Sequence, residues 1–142
     1  MSRPDLYGQL RSSEKRIEEL KSRVEEISTS DAVTTAVAKI LAKAPHLEEF
    51  VLGACRFVTY ALKGCTMREV ILYRGRETSD IKLYLIVVSD QLLTKREKLL
   101  EWNLAKQIAC ACLCIFNGEK SERKLRGEAA DLANSWGFTP VE

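Results

Sequence analysis

The chain has almost no histidine, and its cysteines are not spaced as metal ligands. His46 is the only histidine among 142 residues, and the five cysteines include no CxxC pair. Protein zinc sites draw their ligands mainly from these two residue types at short spacings. We therefore expect no metal site, and no ligand-binding signature in the sequence points to a cofactor.

Long apolar stretches and an excess of one charge are also missing. The longest strongly apolar run, residues 108–116, is nine residues long, whereas crossing a bilayer takes about 20. The 22 basic and 20 acidic residues give a net charge of +2, which argues against nucleic acid or a membrane surface as a partner. The first ten residues lack the apolar core of a signal peptide, so we expect an intracellular, cytoplasmic protein without a membrane anchor. In a reducing compartment the cysteines are expected to stay thiols and to pack as small apolar side chains. They are Cys55, Cys65, Cys110, Cys112 and Cys114.

The clearest pattern that is present is a seven-residue repeat in residues 1–29. Apolar side chains recur at both core positions over three heptads, interrupted only by Ser13, and charged residues flank them. Such a narrow stripe predicts a coiled-coil helix that precedes a single domain of residues 30–142. The predicted interaction residues are Leu6, Leu10, Ile17, Leu20, Val24 and Ile27.

The flanking charges favour one orientation for a second helix. A parallel homodimer would set Arg16 against Lys21, which repel each other, whereas antiparallel pairing brings Glu14 near Lys21. We expect an antiparallel homodimer, pairing with another helical protein, or docking of the helix onto the chain's own body. A parallel zipper ranks below these.

The remaining residues predict an α+β domain in which helices pack on a short antiparallel sheet. The helical pattern covers residues 32–44 and then 45–63, with Pro45 and Gly64 at helix boundaries. Apolar, β-branched runs at residues 70–73 and 81–88 flank a polar segment and predict a β-hairpin.

The C-terminal third predicts two more helices. One begins near Lys95, and residues 108–116 either complete it or form a buried third strand. We favour the helix, because nothing breaks the pattern before Asn117. The other runs from Ser121 to about Ser135 and is ended by Gly137.

The hairpin carries the only sequence that suggests catalysis. Residues 73–76 and 79–83 resemble the hairpin of nucleotidyltransferases, which has a Gly-Ser turn and then a D-x-D pair of metal ligands. This chain departs from that pattern, because it lacks the Gly-Ser turn and has Lys82 in place of the second carboxylate. A two-metal site needs more than Asp80 alone. Asp80, Ile81 and Lys82 also match the (D/E)-x-K triplet of a common nuclease fold, with Glu69 as a further acid.

Three functional hypotheses follow. The leading one is a non-enzymatic oligomerisation or protein-interaction module, a scaffold or an adaptor, and we lean against an enzyme. The first alternative is a degenerate nuclease- or nucleotidyltransferase-like domain that uses Asp80, Lys82 and Glu69. The second is weak nucleic-acid binding through Arg74, Arg76 and Lys82, although nearby acidic residues favour a solvated mixed surface.

Overall fold

The structure is a computed structural model that describes residues 6–61, 65–73, 80–117 and 122–140. Residues 6–13, 65, 68–73, 80–82, 114–117 and 122–123 among them are described by their backbone alone. The elements in chain order are α1 (Leu6–Val24), a 3₁₀ turn (Glu25–Ile27), α2 (Asp31–Lys43), a 3₁₀ turn (Pro45–Leu47), α3 (Glu48–Ala54), β1 (Cys55–Tyr60), β2 (Cys65–Tyr73), β3 (Asp80–Ser89), α4 (Asp90–Leu93), α5 (Glu97–Asn117) and α6 (Glu122–Ser135).

The expected α+β class is confirmed, and so is the antiparallel hairpin, which is formed by β2 and β3. The sheet is nevertheless mixed rather than antiparallel. Its strand order is β1-β3-β2, and β1 runs parallel to β3. The expected sheet therefore gains a third strand, and the longest strand lies in its centre.

The third strand comes from a segment that we expected to be helical. Residues 45–63 were predicted as one helix, but α3 ends at Ala54 and residues 55–60 are extended. The segment from Phe57 to Tyr60 is rich in aromatic and β-branched side chains, which favour strands. Pairing with β3 satisfies the backbone hydrogen-bonding groups along one edge of β1, so the tertiary partner decides the structure.

The two C-terminal helices agree with the sequence. Residues 108–116 are helical and complete α5. After α6 the amide of Phe138 donates to the carbonyl of Ala133 at 3.3 Å, and the amide of Gly137 donates to Asn134 at 3.0 Å. This pair of bonds is a Schellman motif, and it requires the left-handed backbone that Gly137 adopts at φ 97°.

One hydrophobic core fills the space between the helices and one face of the sheet. Its largest fully buried side chains include Tyr84 and Phe57 from the sheet, Ile40 and Leu41 from α2, and Leu104 from α5. Of the described residues, none form a helix that is long and apolar enough to cross a membrane.

Candidate interaction surface

The sheet has two faces, and the register assigns each side chain to one of them. In the register of β1 and β3, Cys55 is paired with Tyr84, and Phe57 is paired with Ile86. These four side chains and Val88 therefore share one face of the sheet, which we call the core face. Because side chains alternate along a strand, the residues between them point the other way. We call that side the outer face. Its described members are Arg56, Val58, Tyr60, Thr66, Leu83, Leu85, Val87 and the fully buried Ser89.

The outer face is apolar but does not belong to the hydrophobic core. Leu83, Leu85 and Val58 are partly exposed, and none of them joins the described core cluster. Val87 is only 7% exposed and also lies outside that cluster. Tyr60, at the end of β1, is 65% exposed. A sheet with one solvated face normally alternates apolar and polar residues, so an aliphatic outer face is unusual.

Arg56 is the only charged side chain among the described residues of the outer face. Its Nη1 donates to the carbonyl oxygens of Leu52 at 3.1 Å and Cys55 at 2.7 Å. These bonds tie the guanidinium to the end of α3, beside the strand. Arg56 therefore contributes positive charge to the rim of the face and leaves the centre, at Leu85, aliphatic.

Part of the predicted helical stripe is buried within the chain itself. Leu20 and Val24 are fully buried, Ile27 is nearly so, and Ile17 packs against the same core. For Ile17 to Ile27, the C-terminal half of the stripe, the helix therefore docks onto the chain's own body, which is one of the outcomes we expected. The side chains of Leu6 and Leu10 lie outside the described residues. Pairing of α1 with a second copy or with another helical protein stays a prediction.

Charge also holds α1 against the body. The carboxylate of Glu48, at the start of α3, accepts from Arg16 at 2.5 Å and also from Arg23. The Glu48 side chain is 19% exposed, so solvent screens these pairs less than it screens fully exposed ones. One carboxylate thus bridges two arginines that are two helical turns apart.

The backbone of the hairpin places its candidate catalytic residues at different levels along the strands. Glu69 is paired with Tyr84, four residues along β3 from Asp80. At about 3.4 Å per residue the two backbones lie roughly 14 Å apart along the strand direction. Lys82 is paired with Ile71. Side chains here lie outside the described residues, as do Arg74 and Arg76 entirely, so the enzymatic and nucleic-acid hypotheses stay predictions.

The cysteines that the structure describes behave as buried apolar groups. Cys55, Cys110 and Cys112 are buried thiols. Burial raises the pKa of Cys55 to about 12, with a further increase from the nearby Cys112 and an opposing effect of Arg56. Burial likewise raises the pKa of Cys112 to about 11. Thiols with such pKa values are poor nucleophiles and poor metal ligands at neutral pH.

The other chemical groups do not converge on a site in the part of the chain that the structure describes. No cluster of three potential metal ligands occurs there. His46 is exposed and makes an edge contact with the ring of Trp136. In a cleft between α2 and α5, Lys39 pairs with Glu97 at 3.4 Å and Glu101 at 3.7 Å, so its charge is already compensated.

Comparisons with protein-family models, curated proteins and solved structures found no match to this chain. Its function is therefore inferred from its own residues. Sequence reasoning did not identify the outer face, although β3 contained a signal for it. Residues 83–88 form a continuous apolar run, which is typical of a strand that is covered on both faces.

Proposed function

We propose that this chain is a non-enzymatic protein-interaction module that binds its partner through the outer face of the sheet. The supporting observation is the aliphatic row on the central strand, opposite the core and outside the core cluster, in which Leu83 and Leu85 are partly exposed and Val87 is nearly buried. Contiguous apolar surface of this kind marks interaction sites in folded proteins. Covering a partly exposed leucine contributes on the order of 1 kcal/mol or less to binding, before the entropic cost of association.

The form of the surface favours a protein over a small molecule. Small-molecule sites are concave and enclose most of the ligand. The outer face is instead the surface of a three-stranded sheet, with an aliphatic centre and polar or aromatic residues at its margin, such as Thr66, Arg56 and Tyr60. An apolar centre with a polar rim is the usual organisation of a protein–protein interface.

Hydroxyl-radical footprinting of the intact chain tests this proposal. The chain is labelled once as a purified, dilute protein and once in an extract of the cells that produce it, and oxidation is read by mass spectrometry. We expect at least a severalfold decrease in oxidation of Tyr60, Leu83 and Leu85 in the extract. His46, which is exposed on the helical side, is the internal control and should be oxidised equally in both samples.

A double variant separates binding from folding. Leu83→Ser with Leu85→Ser should abolish the protection of Tyr60 while the circular dichroism spectrum stays unchanged. Equal oxidation of the outer face in both samples would remove the basis of the proposal. Strong protection in the purified, dilute chain would also count against it, because the chain itself would then cover the face.

A further inference from the structure

The two edges of the sheet differ in how the chain covers them. On its open side, the edge strand β1 is bridged by Ser28, which pairs in parallel with Phe57. The other edge strand, β2, pairs with β3 over all nine of its residues, and no further strand pairs with it among the residues that the structure describes. Because alternate residues of an antiparallel pair direct their N–H and C=O groups away from the partner, β2 presents a row of backbone donors and acceptors along its open edge.

β2 lacks most of the features by which proteins block an open edge. Such edges are usually short, contain a proline or are interrupted by a β-bulge. β2 has nine residues, none of them proline or glycine, and its pairing with β3 runs without a bulge from Cys65 to Tyr73. The core covers one face of β2, because Met67 packs against it and α5 contacts the strand. The edge groups lie in the plane of the sheet instead, where a further extended strand can pair with them.

We propose that β2 pairs antiparallel with β2 of a second copy of the chain, so that the two sheets join into one sheet of six strands. This inference concerns the edge rather than the outer face and does not rest on the proposed function. Two copies of one edge that are related by a two-fold axis are complementary, because each contact is made twice, once in each direction. The stretches of the 142 residues outside the described ranges are at most six residues long, so none of them can pair along the whole of β2.

The charged residues of β2 select one register for this pairing. Residues that are directly opposite share a face of the sheet, so a two-fold dimer centres on a single residue. Three such registers pair seven or more residues of β2, and those centred on Arg68 or Glu69 set like charges opposite each other, which is destabilising. The third is centred on Val70, pairs residues 67–73 and sets no like charges opposite each other.

The size of this contact predicts a weak dimer. Seven paired residues span about 24 Å, and a sheet covered by helices on one side is roughly 20 Å thick, so each copy presents roughly 500 Å². Stable interfaces bury about 800 Å² per partner. We therefore expect association in the micromolar range or weaker, and a monomer in dilute solution.

Sedimentation equilibrium and hydrogen exchange of the intact chain test the proposal. The mass should change from that of a monomer at about 1 µM toward that of a dimer at about 500 µM. Over the same range, the alternate amides of β2 that point to the open edge should exchange severalfold more slowly. Amides of α2, which lies in the core, are the internal control and should exchange equally at both concentrations.

A matched pair of cysteine variants on one strand tests the register. In the Val70→Cys variant the two introduced residues are directly opposite, with Cα atoms about 4.5–5.5 Å apart, within reach of a disulfide. In the Leu72→Cys variant they lie four positions apart, roughly 14 Å, which is beyond that reach. Oxidised glutathione should therefore link Val70→Cys chains through residue 70, as read by peptide mass spectrometry, and should not link Leu72→Cys chains through residue 72.

Several outcomes would overturn the proposal. A monomer mass at both concentrations would reject the dimer, and slow exchange of the β2 edge amides in the dilute monomer would show that the chain itself covers the edge. A dimer without protection of β2 would assign the contact to another surface, such as α1. Linkage of Leu72→Cys chains as readily as Val70→Cys chains would reject the register. Sedimentation and exchange use the unaltered chain, so they decide the proposal even if a cysteine variant does not fold.

Discussion

The two faces of the sheet use the same kinds of side chain and have different environments. On β3, Tyr84, Ile86 and Val88 are completely buried, whereas Leu83 and Leu85, which alternate with them in sequence, remain partly exposed and Val87 is 7% exposed. The core face is covered by helices of its own chain. The outer face is equally aliphatic and lies outside the described core.

This difference separates two roles of apolar residues. Side chains of the core face stabilise the fold, because folding removes them from water. Side chains of the outer face that stay partly exposed contribute less to folding, and burying them against a partner would contribute to the free energy of binding. Substitutions on the core face should therefore affect stability, and those on the outer face should affect binding.

The largest difference is expected between neighbouring residues of β1. Phe57 is 1% exposed on the core face, and Val58 is partly exposed on the outer face. Phe57→Ala should lower the free energy of unfolding by about 3–5 kcal/mol, because it leaves a cavity that the core does not refill. Val58→Ala should cost less than about 1 kcal/mol. Urea denaturation measures both, and similar losses for the two variants would show that the faces do not differ as described.

The second prediction concerns the buried thiol of Cys55 on the core face and the pH dependence of stability that it causes. The folded pKa of Cys55, about 12, lies above the ordinary value of 9.0. The unfolded chain therefore loses this proton first, and stability that is fully present below pH 9 falls as the pH rises toward 12. We expect a loss of about 1 kcal/mol from Cys55 by pH 10. Cys55→Ala should reduce the pH dependence of the unfolding free energy by that amount.

Alkylation of the native protein compares the accessibility of a thiol on the core face with that of a thiol on the outer face. Cys55 should react with iodoacetamide far more slowly than a cysteine introduced on the outer face by Val58→Cys, with both sites read by peptide mass spectrometry. Comparable rates at the two positions would contradict the assigned burial. An identical pH dependence in wild type and Cys55→Ala would contradict the raised pKa.

The sequence predicted the parts of the fold that local pattern determines. The β2–β3 hairpin, the helical structure of residues 108–116 and the end of α6 at Gly137 all follow from propensity and breakers, and they are confirmed. β1 was missed because its apolar spacing also fits a helix. What distinguishes the two is pairing with β3, a contact between residues about 30 positions apart that no local pattern encodes.

The candidate surface was missed for a related reason. Continuous hydrophobicity in residues 83–88 indicates that a strand is covered on both sides, but not which chain covers it. The heptad stripe of α1 left the same question open for a helix. Its periodicity predicted a covered helix face, and the cover for Leu20 and Val24 is the chain's own core. The sequence pattern therefore predicts that these side chains are covered, but only the folded structure identifies the residues that cover them.

The smallest predicted effect concerns Thr66, an exposed residue of β2 that is paired with Val87. Thr66→Val should raise the free energy of unfolding by about 0.2–1 kcal/mol, because a second aliphatic side chain gains a cross-strand contact without opening or overfilling a cavity. Thr66→Ser, the matched control, removes the methyl group and should lower stability slightly. Urea midpoints at unchanged m-values report both changes. A loss of more than about 1 kcal/mol in Thr66→Val would mean that the hydroxyl has a buried partner, and the chain itself would then cover the face that we assign to a partner.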